Sequence, residues 1–168
     1  MRYTPAALAL ALLAGITSSA GQGAAPAPLD PRAASLLQQG RVALTGGNVD
    51  GAIDAYEAAL AIQPGHVAIY LNLAEATRKQ GLQGKALHYY REALKIDPAN
   101  QYAIAGEGAA LVEKGALEKA KRNLARLQQL CGGDCPASRE LAAAIQKGPA
   151  PQVVTAAQVK PQPVVTQN

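Results

Sequence analysis

The sequence repeats itself at a fixed spacing of 34 residues, and this feature constrains the fold more than any other. The positions that recur are Gly47, Gly81 and Gly115; Ala52, Ala86 and Ala120; Tyr56, Tyr90 and Leu124; Pro64, Pro98 and Gly132; and the small residues Gly40, Ala74 and Gly108. A period of this length is typical of chains built from stacked copies of one supersecondary unit. The sequence therefore predicts three similar units in a row.

Each unit contains two segments in which apolar residues recur at helical spacing, with a glycine between the segments. Asp30 directly before Pro31 is typical of the start of a first helix. Pro64 and Gly65 end the second helix of the first unit. The recurring small residues allow paired helices to approach closely, and a larger side chain there would overpack the contact, at about 1–3 kcal/mol.

Length and content of the period resemble the tetratricopeptide repeat, whose pattern places Trp, Leu, Gly and Tyr in the first helix and Ala, Phe and Pro in the second. The resemblance covers three repeats, at about 33–66, 67–100 and 101–134. Some positions depart from the family pattern. Leu36, Tyr70 and Ile104 stand where Trp is usual. Gln39 and Glu107 stand where Leu is usual, and we expect them either to weaken their units or to mark a local polar network.

A stack of helical hairpins leaves an apolar face open at its end, and a terminal helix usually covers it. Residues 136–147 fit this role, because Pro136 suits a first helical turn and Leu141, Ala142 and Ile145 follow at helical spacing. We therefore predict an all-α fold: a helical-hairpin solenoid of three tetratricopeptide repeats and a C-terminal capping helix, with seven helices within residues 29–147.

The first 20 residues have the order of a secretory signal: a charge at Arg2, an apolar run over 6–16, then small and polar residues. Ser18 and Ala20 fit the small-x-small rule, so we expect cleavage after Ala20. The apolar run is too short to span a bilayer, which needs about 20 apolar residues. We therefore expect no stable membrane insertion after cleavage.

Two further segments differ in composition from the repeats. Residues 21–28 are Gly, Ala and Pro-rich and predict a flexible leader. Residues 148–168 are rich in Pro, Gln and Val with one charge, Lys160, and predict a disordered tail. Together with the signal, the family resemblance predicts a bacterial protein that is periplasmic or secreted.

Charge and motif content argue against several classes of function. The formal net charge is +4, but no basic cluster dominates the sequence, so we expect no nucleic-acid partner. Nucleophile, phosphate-binding and zinc-protease motifs are missing. His66 and His88 have no acidic residue beside them that would suggest acid–base catalysis. We therefore expect no enzyme, no cofactor and no metal site.

Cys131 and Cys135 are the two cysteines of the chain. In an oxidising compartment such a pair predicts a disulfide, which here would hold the capping helix. The alternative is a redox or metal-linked envelope factor that uses the same two thiols. Zinc would require two more ligands, and the spacing is one residue longer than that of the usual redox motif. The segment from Leu124 onward resembles the ending of small exported bacterial tetratricopeptide proteins.

The family resemblance also implies a binding groove, lined by the first helix of each repeat. Carried over by position, the groove residues are Leu37, Gln38, Arg41 and Leu44; Leu71, Asn72, Glu75, Arg78 and Lys79; and Tyr102, Ala105, Ala109, Val112 and Glu113. Among them we expect Arg41, Asn72 and Arg78 to make polar contacts. The mixture of apolar residues and both charges suits an extended peptide with an apolar anchor.

One subtype of the family holds a C-terminal carboxylate with Lys, Arg and two Asn. Asn72 matches one of these positions, but Leu37, Arg41, Tyr102 and Gly106 occupy the others and do not match. We therefore expect no carboxylate clamp.

The hypothesis from the sequence is an exported adaptor, monomeric or weakly associating, that binds a peptide or helix of another cell-envelope protein in its groove. Two alternatives stay open: a thiol or disulfide-linked envelope factor, and an oligomeric assembly subunit.

Overall fold

The computed structural model describes residues 28–149. The predicted signal (1–20), nearly all of the leader and nearly all of the tail lie outside these residues. Seven α-helices form the described part, and no strand occurs in it: α1 Pro31–Thr45, α2 Val49–Ile62, α3 Val67–Lys79, α4 Gln83–Ile96, α5 Gln101–Glu113, α6 Leu117–Cys131 and α7 Pro136–Lys147. The predicted all-α architecture and the number of helices are confirmed.

Polar side chains directly before α1, α2, α3 and α5 cap the starts of these four helices. Asp30 accepts a hydrogen bond from the Arg32 amide, with Pro31 at the first helical position. Asn48 accepts from the Gly51 amide, His66 from the Ala68 amide and Asn100 from the Ala103 amide. Each cap satisfies an amide that has no partner inside its helix, which makes the boundary readable from the sequence.

The recurring glycine of each unit ends the first helix of the pair. Gly47, Gly81 and Gly115 have φ values of 82°, 82° and 74°, a region that glycine enters without steric cost. At Gly81, the next amide, that of Leu82, reaches back to the Thr77 carbonyl, while the Gly81 amide donates to the Arg78 carbonyl. This pair of hydrogen bonds is the Schellman motif. The 34-residue spacing of these glycines therefore places the same turn three times.

The helices pack as three successive pairs, α1 with α2, α3 with α4 and α5 with α6, and each pair contacts the next. The alanines at the recurring second-helix position, Ala52, Ala86 and Ala120, are fully buried. Their small side chains bring the helix backbones together, as the sequence predicted.

Helix α7 packs against α5 and α6 and covers the end of the stack. Its Leu141 is buried with Ile104 and Leu127 in one apolar cluster. A Cβ built at Gly108 would lie 2.6 Å from Leu141 Cδ2, so the glycine makes room for this contact. This packing confirms the expected role of α7 as the capping helix.

Glu107, at a position where the repeat pattern has Leu, forms the local network that was one of two expectations for it. It accepts hydrogen bonds from Arg91 Nε at 2.9 Å and from Asn123 Nδ2 at 3.0 Å. The carboxylate thus connects α4, α5 and α6. Gln39, the other departure, is exposed, and its amide lies 3.4 Å from Ser35 Oγ.

Within residues 28–149 no helix combines the length and the apolar character that crossing a bilayer requires.

Candidate functional site

A cavity of about 430 Å³ opens between α3, α5 and α7. Helices α3 and α5 are first helices of their pairs, and α7 stands beside α5 at the end of the stack. The cavity is lined by Leu71, Glu75, Arg78, Tyr90, Tyr102, Ala105, Gly106, Ala109, Glu140, Leu141 and Ala144. Its size lies within the range of about 300–1,000 Å³ that is usual for ligand sites.

Arg78 is the one guanidinium among the lining side chains, and two carboxylates hold it. Its Nε and Nη2 atoms donate to the Glu75 carboxylate at 3.0–3.1 Å, and its Nη1 atom donates to Glu113 Oε1. Burial by itself would lower the pKa of Arg78, but the attraction of Glu75 and Glu113 outweighs it and raises the pKa. Arg78 therefore stays charged, and its donors point to residues of the same chain.

Glu113 takes part in a second contact, accepting from Gln83 Nε2 at 2.8 Å. The pair Arg78–Glu113 thus connects the end of α3 with the end of α5, while Gln83 extends the network to α4. Sequence reasoning placed Arg78 and Glu113 among the groove residues but did not foresee that they bind each other.

Tyr90 reaches the cavity from α4, a second helix that the groove prediction did not include. Its hydroxyl donates to Glu75 Oε2 at 3.3 Å. Burial of the ring, followed by the nearby Glu75 carboxylate, raises the pKa of Tyr90 above its ordinary value. A Cβ at Gly106 would lie 2.3 Å from the Tyr90 ring, so this glycine is what admits the tyrosine.

The cavity brings together six of the residues expected to form the groove: Leu71, Glu75, Arg78, Tyr102, Ala105 and Ala109. Tyr102 stands at the rim with 77% of its surface exposed. Glu140, Leu141 and Ala144 of α7 were not foreseen, because the repeat pattern by itself does not place the capping helix. Binding by any of these residues remains a prediction.

The structure corrects two of the expected groove positions. Leu37 is 1% exposed and packs in the core of the first two units with Tyr56 and Leu73. Val112 is 2% exposed and lies in a core cluster against which Ile145 of α7 packs. Both side chains face neighbouring helices, so they contribute to packing and offer no surface to a partner.

Other expected contact residues lie outside the cavity lining. Arg41 is exposed and donates to Gln38 Oε1, and Leu44 packs against the first core cluster. Asn72 donates to the Ala68 carbonyl of its own helix at 2.6 Å. Lys79 lies 4.0 Å from Glu75 and is half exposed.

The turn between α6 and α7 carries the two cysteines. Their sulfur atoms lie at disulfide distance, and their Cα atoms are 5.9 Å apart. Ser138, which is buried, donates to the Gly132 carbonyl at 2.9 Å, and its oxygen is 3.3 Å from Cys135 Sγ. Over residues 28–149, no three His, Cys, Asp or Glu side chains form a group that could hold a metal ion.

Comparison with known proteins agrees with this architecture. Residues 37–101 match the family model of the tetratricopeptide repeat. No curated protein sequence shows a significant match. The Sgt2 TPR domain from Aspergillus fumigatus is 25% identical, with a TM-score of 0.64, covering 76% of this chain and 91% of that domain.

Two solved structures with similar sequence identity and TM-score contain bound peptides. The first TPR of Spaghetti (RPAP3), bound to the HSP90 peptide SRMEEVD, is 25% identical with a TM-score of 0.62, covering 69% of this chain and 94% of that one. The second TPR domain of human RPAP3, in complex with the HSP70 peptide SGPTIEEVD, is 25% identical with a TM-score of 0.61, covering 67% and 94%.

Three stacked helical hairpins, a capping helix and a concave cavity define a helical solenoid of the class that serves as protein-interaction modules. The repeat-family match over residues 37–101 and the similar structures show that the chain contains tetratricopeptide repeats.

Proposed function

We propose that this chain is an exported adaptor that binds a segment of another cell-envelope protein in the cavity between α3, α5 and α7. The observation that carries the proposal is the cavity itself, which opens between first helices of a fold that holds peptides in two of the solved neighbours. The adaptor acts as a monomer and performs no chemistry.

The lining of the cavity supports a peptide rather than a flat protein surface as the occupant. Leu71, Ala105 and Leu141 supply apolar contact area, and Tyr102 stands exposed at the entrance. An apolar hollow with a few polar groups suits one anchor side chain, while the neighbouring helices contact the backbone on either side.

The test is affinity capture from a native envelope extract with three forms of the chain. Ala109→Trp places a large side chain in the cavity, and Ala125→Trp places the same side chain on an exposed position of α6 as the matched control. We expect one envelope protein to bind the parent and Ala125→Trp but not Ala109→Trp. Equal retention by all three would contradict the cavity as the binding site.

Substituting the cavity alanine is a cleaner test than substituting Arg78. Removal of Arg78 would leave Glu75 and Glu113 without their shared partner and so disturb the fold as well as the cavity. Thermal unfolding by circular dichroism checks that both Trp variants remain folded.

The proposal of export is based on the signal pattern of residues 1–20. We propose that cleavage after Ala20 releases the protein into the periplasm. Cell fractionation with N-terminal sequencing measures this. A mature chain that starts at Gly21 is expected in the periplasmic fraction. A chain that retains Met1 in the cytoplasm would contradict export.

We further propose that Cys131 and Cys135 form a disulfide that holds the turn before α7. Two observations support it: the cysteines flank this turn, and Ser138 packs between them and the Gly132 carbonyl. Thiol titration of the purified protein in denaturant should find no free thiol before reduction. A pair that glutathione readily reduces would favour the thiol-factor alternative.

A further inference from the structure

The inference concerns which charge the cavity accepts, and it rests on the proposed function. Three charged side chains line the cavity: Glu75, Arg78 and Glu140. The positive charge of Arg78 is already matched by Glu75 and Glu113, through hydrogen bonds from all three guanidinium nitrogens. A carboxylate that entered the cavity would meet a guanidinium whose donors are already used. The Glu75 and Glu113 carboxylates beside this guanidinium would repel the new negative charge.

Glu140 is in the opposite situation. It lies on α7, on the wall that the capping helix supplies, and it is exposed. Among the residues that the structure describes, it has no ion-pair partner. Lys79 lies 4.0 Å from Glu75, on the same helix and outside the lining. Among the side chains that line the cavity, two carboxylates, Glu75 and Glu140, stand against one cation, Arg78, so one negative charge is left over.

Tyr102 adds a second feature that favours a cation. Its ring is exposed at the rim of the same cavity, on α5, while Glu140 stands on α7. A Lys or Arg side chain can lay its aliphatic stem and charge on an aromatic face and reach a carboxylate with its end group. Leu71, Ala105 and Ala109 offer the stem an apolar floor.

We propose that the cavity binds a peptide through a basic side chain, Lys or Arg, held between Tyr102 and Glu140. This choice of charge is opposite to that of a site for acidic C-terminal peptides. The basic residue is the anchor of the peptide, and the remaining length of the peptide lies along α3 and α5.

The test begins with selection from random dodecapeptides displayed with free carboxyl ends, using the full chain as bait and the Ala109→Trp variant for counter-selection. We expect the selected sequences to share a Lys or Arg at one position. Enrichment of Asp, Glu or a terminal carboxylate would overturn the inference about charge. A selection that enriches nothing over the Ala109→Trp variant would overturn the proposed function and this inference together.

Fluorescence anisotropy with one selected, labelled peptide then locates the charge. Glu140→Gln should weaken binding about 3- to 10-fold, as for a partly exposed charge pair with a charged hydrogen bond. Tyr102→Leu should weaken binding too, and Glu118→Gln on α6, also an exposed glutamate, should leave it unchanged. The same peptide with norleucine at the basic position should not distinguish Glu140→Gln from the parent.

The outcomes separate the two proposals. Binding that Ala109→Trp abolishes but Glu140→Gln leaves unchanged would keep the cavity as the site and overturn the cation inference. Binding that survives in Ala109→Trp would overturn the proposed function itself.

Discussion

Tyr56 and Tyr90 occupy the same position of the repeat, 34 residues apart, yet their surroundings differ. Tyr56 is fully buried in the first unit, and its hydroxyl has no hydrogen-bond partner within the described residues. Tyr90 is 3% exposed, borders the cavity and donates to Glu75. One tyrosine is part of the core, and the other is part of the candidate site.

The placement of glycines on the neighbouring helices accounts for the difference. A Cβ at Gly40 would lie 2.2 Å from the Tyr56 ring, so that ring lies against the first helix of its own unit. In the second unit the equivalent residue is Ala74, and Tyr90 instead lies against Gly106 of the next unit. The residue equivalent to Gly106 in the second unit is Asn72. Identical repeat positions therefore acquire different roles through single missing methyl groups nearby.

The largest effect is expected from Gly40→Ala. The new methyl group overlaps a ring that has no room to move, which costs about 1–3 kcal/mol of overpacking, less about 0.5–1 kcal/mol gained from helix propensity. Urea unfolding measures the change. Gly106→Ala should cost less, because the Tyr90 ring can shift toward the open cavity.

Gly84→Ala is the control for both glycine variants, because Gly84 lies in α4 with nothing within 4 Å of a new Cβ. Because Gly84 lies in the first turn of α4, the substitution should raise the free energy of unfolding by at most about 0.5 kcal/mol. Equal destabilisation by Gly40→Ala and Gly106→Ala would contradict the contrast drawn between the two tyrosines.

The second-largest effect is a fall in the free energy of unfolding as the pH rises into the alkaline range. The pKa of Tyr90 is raised in the folded protein by burial and by Glu75, so the unfolded chain loses this proton first. The stability is fully present below the unfolded pKa, about 10, and is lost above it at up to about 1.4 kcal/mol per pH unit for each such group. Urea unfolding from pH 8 to 11 should show this fall.

Tyr90→Phe should reduce the slope of that fall by removing one of the groups. Tyr56, whose pKa burial also raises, should contribute to the remaining slope, and the double variant should have the smallest one. A slope above pH 10 that Tyr90→Phe leaves unchanged would contradict the assignment.

Removal of each hydroxyl at neutral pH should separate the two tyrosines by a smaller amount. Tyr90→Phe removes the hydrogen bond to Glu75 and should lower the free energy of unfolding by about 0.5–1.5 kcal/mol. Tyr56→Phe removes a buried hydroxyl that has no partner, so stability should stay the same or rise. Differential scanning calorimetry of the two variants tests this; a larger loss for Tyr56→Phe would reverse the comparison.

The smallest effect is a coupling between Gly40→Ala and Asn72→Gly. Asn72→Gly gives the first unit the open position that Gly106 gives the second, so Tyr56 can move away from Ala at position 40. A double-mutant cycle should show a favourable coupling of about 0.5–1 kcal/mol. If the effects of the two substitutions simply add, the residue at position 72 does not determine where the Tyr56 ring lies.

Much of the fold could be predicted because its signals are local. The helix caps at Asp30 and Asn48, and the turn glycine Gly81, act within a few residues of themselves, and the period repeats them. The groove could be predicted only as a side of the solenoid. Leu37 and Val112 have groove positions by count, but neighbouring helices bury them.

The sequence by itself determined the repeat, the seven helices and several of their ends, because periodicity and capping depend on near neighbours along the chain. The repeat pattern also predicted the face on which we propose that a partner binds. The tertiary structure decided which positions on that face stay open and which charges are already matched. Arg78 meets Glu113 across 35 residues, and Glu140 reaches the cavity only because α7 packs on α5. Such pairings depend on distances between helices, and no local pattern in the sequence encodes those distances.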